Sequence, residues 1–180
     1  METEYIKNNY SIKTLSHDDD LSNFSCGLDD MDDFLINDAL EQQENNLNVT
    51  YLVFCDNQII GFFSLLADSI KIKDIGEEYD ISYETSPAIK IGRLAIDEKY
   101  RSEGIGTVIL DNICKNIKII SKKVGIRFIT IDAYCGVRKF YYKNEFKHFK
   151  INNIKKLKRT AKRNEKTTIP LYKDIKRIWY

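Results

Sequence analysis

The 180 residues carry 43% hydrophobic and 31% charged side chains with only 8 glycines and 2 prolines, which excludes a disordered or low-complexity chain and suffices for a single domain over 1–180 with a real core. No apolar run is long enough to span a bilayer, and the start METEYIKNNYSIK has no apolar signal-peptide core, so a cytoplasmic protein without a membrane partner is expected. The net charge of +1 hides a division: residues 1–100 hold 7 basic against 21 acidic side chains, and residues 101–180 hold 21 against 6, so that the basic half suits a polyanion and the acidic half a cation, unless both only solvate the fold.

YSIKTL (Tyr10–Leu15) alternates like a short strand. In LDDMDDFLINDAL, the residues Leu28, Met31, Phe34, Leu35, Ala39 and Leu40 share one helical face. Asp29 and Asp30 in the first turn suit the helix dipole, which explains them without catalysis. VTYLVFCDNQIIGFFSLLADSIKI reads as two strands joined by a tight turn at Asp56–Asn57. The acidic loop KDIGEEYDISYETS leads to the strand PAIKIGRLAID, with Pro87 at its start. TVILDNICKNIKIISKK makes an amphipathic helix through Val108, Ile109, Ile113, Ile117 and Ile120. IRFITIDA is a strand, GVRKFYYKN a short helix, and EFKHFK and TTIPLYKDI the last two strands, with the basic run INNIKKLKRTAKRNEK between them. The alternation from residue 87 to 143 predicts a mixed α/β sheet.

Arg101-Ser102-Glu103-Gly104-Ile105-Gly106, between a strand and a helix, is the segment with chemistry in it. Glycines at such a junction let a ligand approach backbone N–H groups, and a helix N-terminus favours an anion. The P-loop pattern fails because Thr107 and Val108 follow Gly106, and the dinucleotide fingerprint fails because Ile109 stands where its third glycine belongs. On this segment alone, a tight turn without a ligand stays ahead, and the rest of the chain decides. The four cysteines, Cys26, Cys55, Cys114 and Cys135, form no C-x-x-C pair, so reduced thiols are expected and neither a disulfide nor a metal framework is.

Entered from RLAID, the Arg-x-x-Gly-x-Gly segment resembles the hallmark of the GNAT N-acetyltransferase superfamily, in which the first residue is Arg or Gln. VRKFYYKNEF resembles a second family feature, A-x-x-F-Y-x-x-x-G-F, with Phe140, Tyr141 and Phe146 in register. Val137 replaces the usual alanine and Glu145 the usual glycine, which puts Asn144 or Glu145 at positive φ. FSCGLDDMDDFLINDAL, with TYLVF, GFFSLLADSI and KIGRLAID, is similar to the branch that contains the aminoacyl-tRNA-acetylating toxins. The resemblance runs from about Phe24 to Phe149.

The resemblance implies a GNAT fold: a mixed, mostly antiparallel central sheet, splayed at the cofactor site and flanked by helices. It implies acetyl-CoA as cosubstrate, with the backbone of Arg101, Ser102, Glu103, Gly104, Ile105, Gly106 and Thr107 around the pyrophosphate and Arg101 supplying charge or a structural salt bridge. Leu94, Ala95 and Ile96 would line the pantetheine arm as an added strand, with an N–H of Leu94 or Ile96 on the thioester carbonyl. An amine attacks the acetyl group directly, and Tyr141 matches the family tyrosine that protonates the leaving thiolate. Phe140 reads as a core aromatic and Tyr142 as a weaker rival. Glu77, Glu78, Asp80 and Glu84 are candidate bases in a loop that is otherwise simply solvated. His17 and His148 match no motif, Cys135 reads as a bystander and Cys26 as a packing residue.

Three functions follow. The first is acetylation of a small or side-chain primary amine, which the acidic half suits if the acceptor is a cation. The second is acetylation of the amino acid on charged tRNA, with the stretch 147–166 meeting phosphates through Lys147, Lys150, Lys155, Lys156, Lys158, Arg159, Lys162, Arg163 and Lys166; a neighbouring antitoxin gene would favour it. The third is a non-catalytic CoA-binding module, which the intact loop and Tyr141 disfavour. A homodimer is a further candidate assembly.

Overall fold

The computed structural model describes residues 2–75, 79–101, 103–150 and 166–178. Ser102, Glu77, Glu78 and the basic residues Lys155, Lys156, Lys158, Arg159, Lys162 and Arg163 lie outside the described residues.

The strands are β1 (Ser11–Thr14), β2 (Val49–Cys55), β3 (Gln58–Lys71), β4 (Thr85–Ile96), β5 (Phe128–Tyr134), β6 (Lys147–His148) and β7 (Thr168–Asp174). They form one open mixed sheet in the order β1-β2-β3-β4-β5-β7-β6. The helices are α1 (Thr3–Asn9), α2 (Asp29–Asp33), α3 (Ala39–Glu44), α4 (Ile105–Ile120) and α5 (Arg138–Lys143). A π-helical turn, Phe34–Asp38, joins α2 to α3, and the Ala39 N–H reaches back to the Phe34 carbonyl. Among the described residues, no helix is long and apolar enough to cross a membrane.

The described chain divides into two compact units. The first comprises Met1–Leu66 and Ile91–Leu110. Its centre is aromatic: Phe62 meets Phe24 edge-on at 5.6 Å and stacks with Phe34 at 6.2 Å. β2 and β3 pair antiparallel around the expected turn, where Asp56 and Asn57 adopt φ of 46° and 62°, the left-handed pair a two-residue hairpin needs. Gly61 of β3 is the point of close approach to β4, since a Cβ there would lie 2.8 Å from the Ala95 carbonyl oxygen. Leu28, expected on the apolar face, precedes α2 and is exposed. Phe34, Leu35 and Ala39 are buried as expected.

The second unit comprises Ala67–Lys90 and Asp111–Tyr180. Tyr79, Phe128 and Tyr172 pack edge-to-face at 5.2–6.3 Å, with Ile70, Ile75 and Ala88 around them. Arg127 donates from Nε and Nη2 to Asp174 at 2.9 and 2.8 Å, a bidentate pair in which the carboxylate is buried.

α4 differs from expectation at both ends. It starts at Ile105, two residues early, because Gly104 takes φ +83° and its carbonyl accepts from Thr107 and Val108 at 3.1 and 3.3 Å. Its buried stripe is Ile105, Ile109, Ile113 and Ile117, whereas Ile120 at the end is exposed.

Candidate active site

In the first unit, β4 delivers Leu94, Ala95 and Ile96 to the start of the glycine loop; Ala95 is buried and its neighbours half-buried. Asp97 then fixes the turn: its side chain accepts from the Lys99 N–H at 2.9 Å, and its own N–H donates to Ile60 at 3.0 Å. After the short turn Glu98–Tyr100 the chain extends through Arg101. Glu103 accepts the Thr3 hydroxyl, and a Cβ on Gly104 would lie 3.8 Å from Lys7 Cε and 3.9 Å from its ammonium nitrogen. α1 thus brings a half-buried cation, paired with Glu4 at 2.7 Å, against the loop.

The head of α4 carries the chemistry. An α-helix leaves its first N–H groups without intrahelical acceptors. Thr107 and Val108 turn theirs to Gly104, which leaves Ile105 and Gly106 at the helix start with the positive end of the dipole. Gly104 is needed for its left-handed backbone, while Gly106 is helical. Amides without intrahelical acceptors, an added cation and no side chain at either glycine fit a diphosphate.

The segment FSCG is wired to this loop. Ser25 donates its hydroxyl and Cys26 its N–H to Asp32 at 2.7 and 2.8 Å, and Gly27, at φ +66°, donates to the Ser25 hydroxyl at 3.1 Å. Glu98 donates its N–H to the Ser25 carbonyl at 3.0 Å, and the Arg101 guanidinium donates to the Cys26 carbonyl. Burial works against the Asp32 carboxylate, but the hydrogen bonds from Cys26, Ser25 and Gly27 outweigh it and hold its pKa below the ordinary aspartate value. Burial, with Asp32 beside it, pushes the Cys26 thiol up to about 12. It is a packing group and not a nucleophile. Asp32 went unnoticed in the sequence because an acid early in a helix is already explained by the dipole.

In the second unit, α5 places Tyr141 in the interior, against Phe140 at 4.9 Å and Phe146 at 5.6 Å. Tyr141 is buried and Phe140 only half-buried, the reverse of the assignment of Phe140 as the core ring. Burial raises the Tyr141 pKa above the ordinary phenol value, and no described residue hydrogen-bonds its hydroxyl. Tyr142 is exposed beside His148, on the surface. Glu145 takes φ 66°, filling the position of the family glycine with a strained residue. Asp80 and Glu84 are exposed, as the solvated-loop reading expects, and Glu77 and Glu78 are not described.

The family model for the acetyltransferase (GNAT) family matches residues 12–146. A tRNA-acetylating toxin from Mycobacterium tuberculosis (strain ATCC 25618 / H37Rv) is 26% identical over 136 residues, covering 74% of this chain and 82% of that protein. Among solved structures, a mutant of KacT superposes with a TM-score of 0.80 at 19% identity, covering 94% of this chain and 97% of that one. AtaT complexed with acetyl-methionyl-tRNAfMet gives 0.78 at 21% identity, with 93% and 96% covered.

Proposed function

This chain belongs to the acetyltransferase (GNAT) family and is an acetyl-CoA-dependent N-acetyltransferase; within that activity, we propose that its acceptor is the amino group of an amino acid carried by tRNA. The observation that carries the proposal is the similarity to the tRNA-acetylating toxin over 136 residues. A net excess of 15 basic side chains in residues 101–180 supports it, as an electrostatic footprint for a polyanion.

Bound acetyl-CoA supplies an acetyl group activated as a thioester. The amides of Ile105 and Gly106 at the head of α4, with the nearby Lys7 ammonium, would hold the diphosphate, and the rest of the segment, Arg101, Ser102, Glu103, Gly104 and Thr107, would shape the loop around it, since the Arg101 and Thr107 N–H groups are already given to Glu98 and Gly104. Leu94, Ala95 and Ile96 offer strand backbone to the pantetheine arm. Tyr141 holds a proton at its hydroxyl oxygen across the neutral range because burial disfavours the phenolate; as the family tyrosine it would pass that proton to the leaving sulfur, the proton lost by the attacking amine restoring the phenol. A panel assay tests the acceptor. Purified protein with acetyl-CoA is offered charged tRNA, polyamines, free amino acids and peptides, and free thiol is followed. Acetylated aminoacyl-tRNA is the expected product; thiol release with a small amine and none with charged tRNA would reject the proposal.

A further inference from the structure

We propose that Arg93 is a specificity-determining residue that takes a phosphate oxygen at the aminoacylated 3′ end of the acceptor tRNA. This rests on the tRNA reading above and on the state of one guanidinium.

Arg93 lies on β4, immediately before Leu94. Its guanidinium stands over the Phe34 ring at 4.8 Å, at the first residue of the π-helical turn. Nη1 donates to the Gly92 carbonyl at 3.0 Å. Nε is buried and has no hydrogen-bond partner. No carboxylate pairs with Arg93 among the described residues. The side chain is therefore a half-buried cation with neither a counter-charge nor a full set of acceptors.

That state is unfavourable in a protein left to itself. Buried charges are normally paired, and an unsatisfied buried donor carries the desolvation penalty of the group. The same chain shows the ordinary solution in Arg127, whose Nε and Nη2 both meet Asp174. Arg93 lacks it although residues 14–70, which include Phe34, hold twelve acids and no Lys or Arg. Packing on Phe34 fixes the plane of the fork, so little freedom is left to lose when an anion arrives. A planar guanidinium without a carboxylate partner matches a phosphate or carboxylate better than an amine, and with Nε sealed from solvent and Nη1 on the Gly92 carbonyl, Nη2 is the donor that an incoming anion meets. An acceptor made of a cation alone would meet repulsion here, so Arg93 favours an acceptor that brings its own negative charge beside the amine. The phosphodiester next to the terminal aminoacyl-adenosine is such a group.

The test compares parent, Arg93→Gln and Arg93→Lys. Melting temperature, acetyl-CoA dissociation constant by calorimetry, and KM and kcat for charged tRNA are measured on each. Arg93→Gln should raise the tRNA KM by about tenfold or more, the effect of losing a hydrogen bond to a charged group, while acetyl-CoA affinity stays within about twofold. Arg93→Lys should recover part of the loss, because charge returns without the fork. The penalty should shrink with aminoacyl-adenosine as acceptor, which carries no phosphate. A tRNA KM unchanged in Arg93→Gln would overturn the inference. So would a penalty equally large with aminoacyl-adenosine, or one that tracks a lowered melting temperature, since either marks a prop for Phe34. A parent that acetylates no charged tRNA overturns the acceptor reading and this role together; an active parent with an equally active Arg93→Gln overturns only the role of Arg93.

Discussion

Asp32→Ala is the sharpest probe of how the loop is held. Asp32 accepts the Ser25 hydroxyl at 2.7 Å and the Cys26 N–H at 2.8 Å, and Gly27 is tied to the same Ser25 hydroxyl. Hydrogen bonds to a charged acceptor contribute about 1.5–3 kcal/mol each. These two share one half-buried carboxylate and are not additive. A net loss of about 2–3 kcal/mol follows, which for a chain of this size lowers the melting temperature by roughly 5–10 °C. The pH dependence has a definite sign. The carboxyl is held below its ordinary value near 3.8, so its stabilisation is complete above about pH 4 and fades as pH falls through the lowered folded value. Thermal melts of parent and variant should therefore differ at pH 7 and converge as pH drops below about 4. Because the same turn receives Arg101 and Glu98, acetyl-CoA affinity should fall as well. Equal melting temperatures at pH 7, or a gap as wide at about pH 3 as at pH 7, would refute the reasoning.

Tyr141→Phe keeps the packing against Phe140 and Phe146; single-turnover acetyl transfer should drop by about 10², the low end for general acid catalysis with a good leaving group, while Tyr142→Phe is mild. Gly104→Val forces a β-branched residue to φ +83° and should abolish the thermal shift that acetyl-CoA gives by mass action. Arg127→Ala leaves the Asp174 carboxylate buried and unpaired; a loss of about 3 kcal/mol is expected in urea unfolding, partly recovered by adding Asp174→Asn.

Where local chemistry decides the structure, the sequence was readable. Asp56–Asn57 announced a hairpin turn, and both residues adopt positive φ. Gly104 marked the break before α4, although the helix begins sooner than the apolar pattern suggested, since Gly106 is tolerated in a first turn. α1 gave no signal because Ile6 is its single buried side chain, and one apolar residue has no period. The π-helical turn was invisible for a related reason: inserting a residue at Phe34–Asp38 leaves Phe34, Leu35 and Ala39 buried, so the apolar pattern alone reads as an unbroken α-helix. Lys7 and Arg93 acquire their roles from residues distant in sequence, and Asp32 from a turn six and seven residues upstream that no period marks, so each taken alone is an ordinary charge. Tyr141 was found through a motif, yet its burial relative to Phe140 had to come from packing.

Arg101 carries the last test, because its geometry separates two accounts of the same motif. If the residue supplied charge to the diphosphate, Gln could not replace it. The guanidinium donates to the Cys26 carbonyl, a neutral acceptor on a turn that Asp32 and Glu98 also hold. That bond needs an N–H and a long side chain, which Gln has and Met lacks. In this chain, either Arg or Gln can tie the FSCG turn to the loop. Arg101→Gln should keep acetyl-CoA affinity within about threefold, whereas Arg101→Met should lose about tenfold, the worth of a part-buried hydrogen bond whose acceptor is left unpaired. Titration of acetyl-CoA at two salt concentrations reads both effects. A cation at the diphosphate would make Arg101→Gln as poor as Arg101→Met and steepest in loss at low salt, and that outcome would return the role of Arg101 to charge.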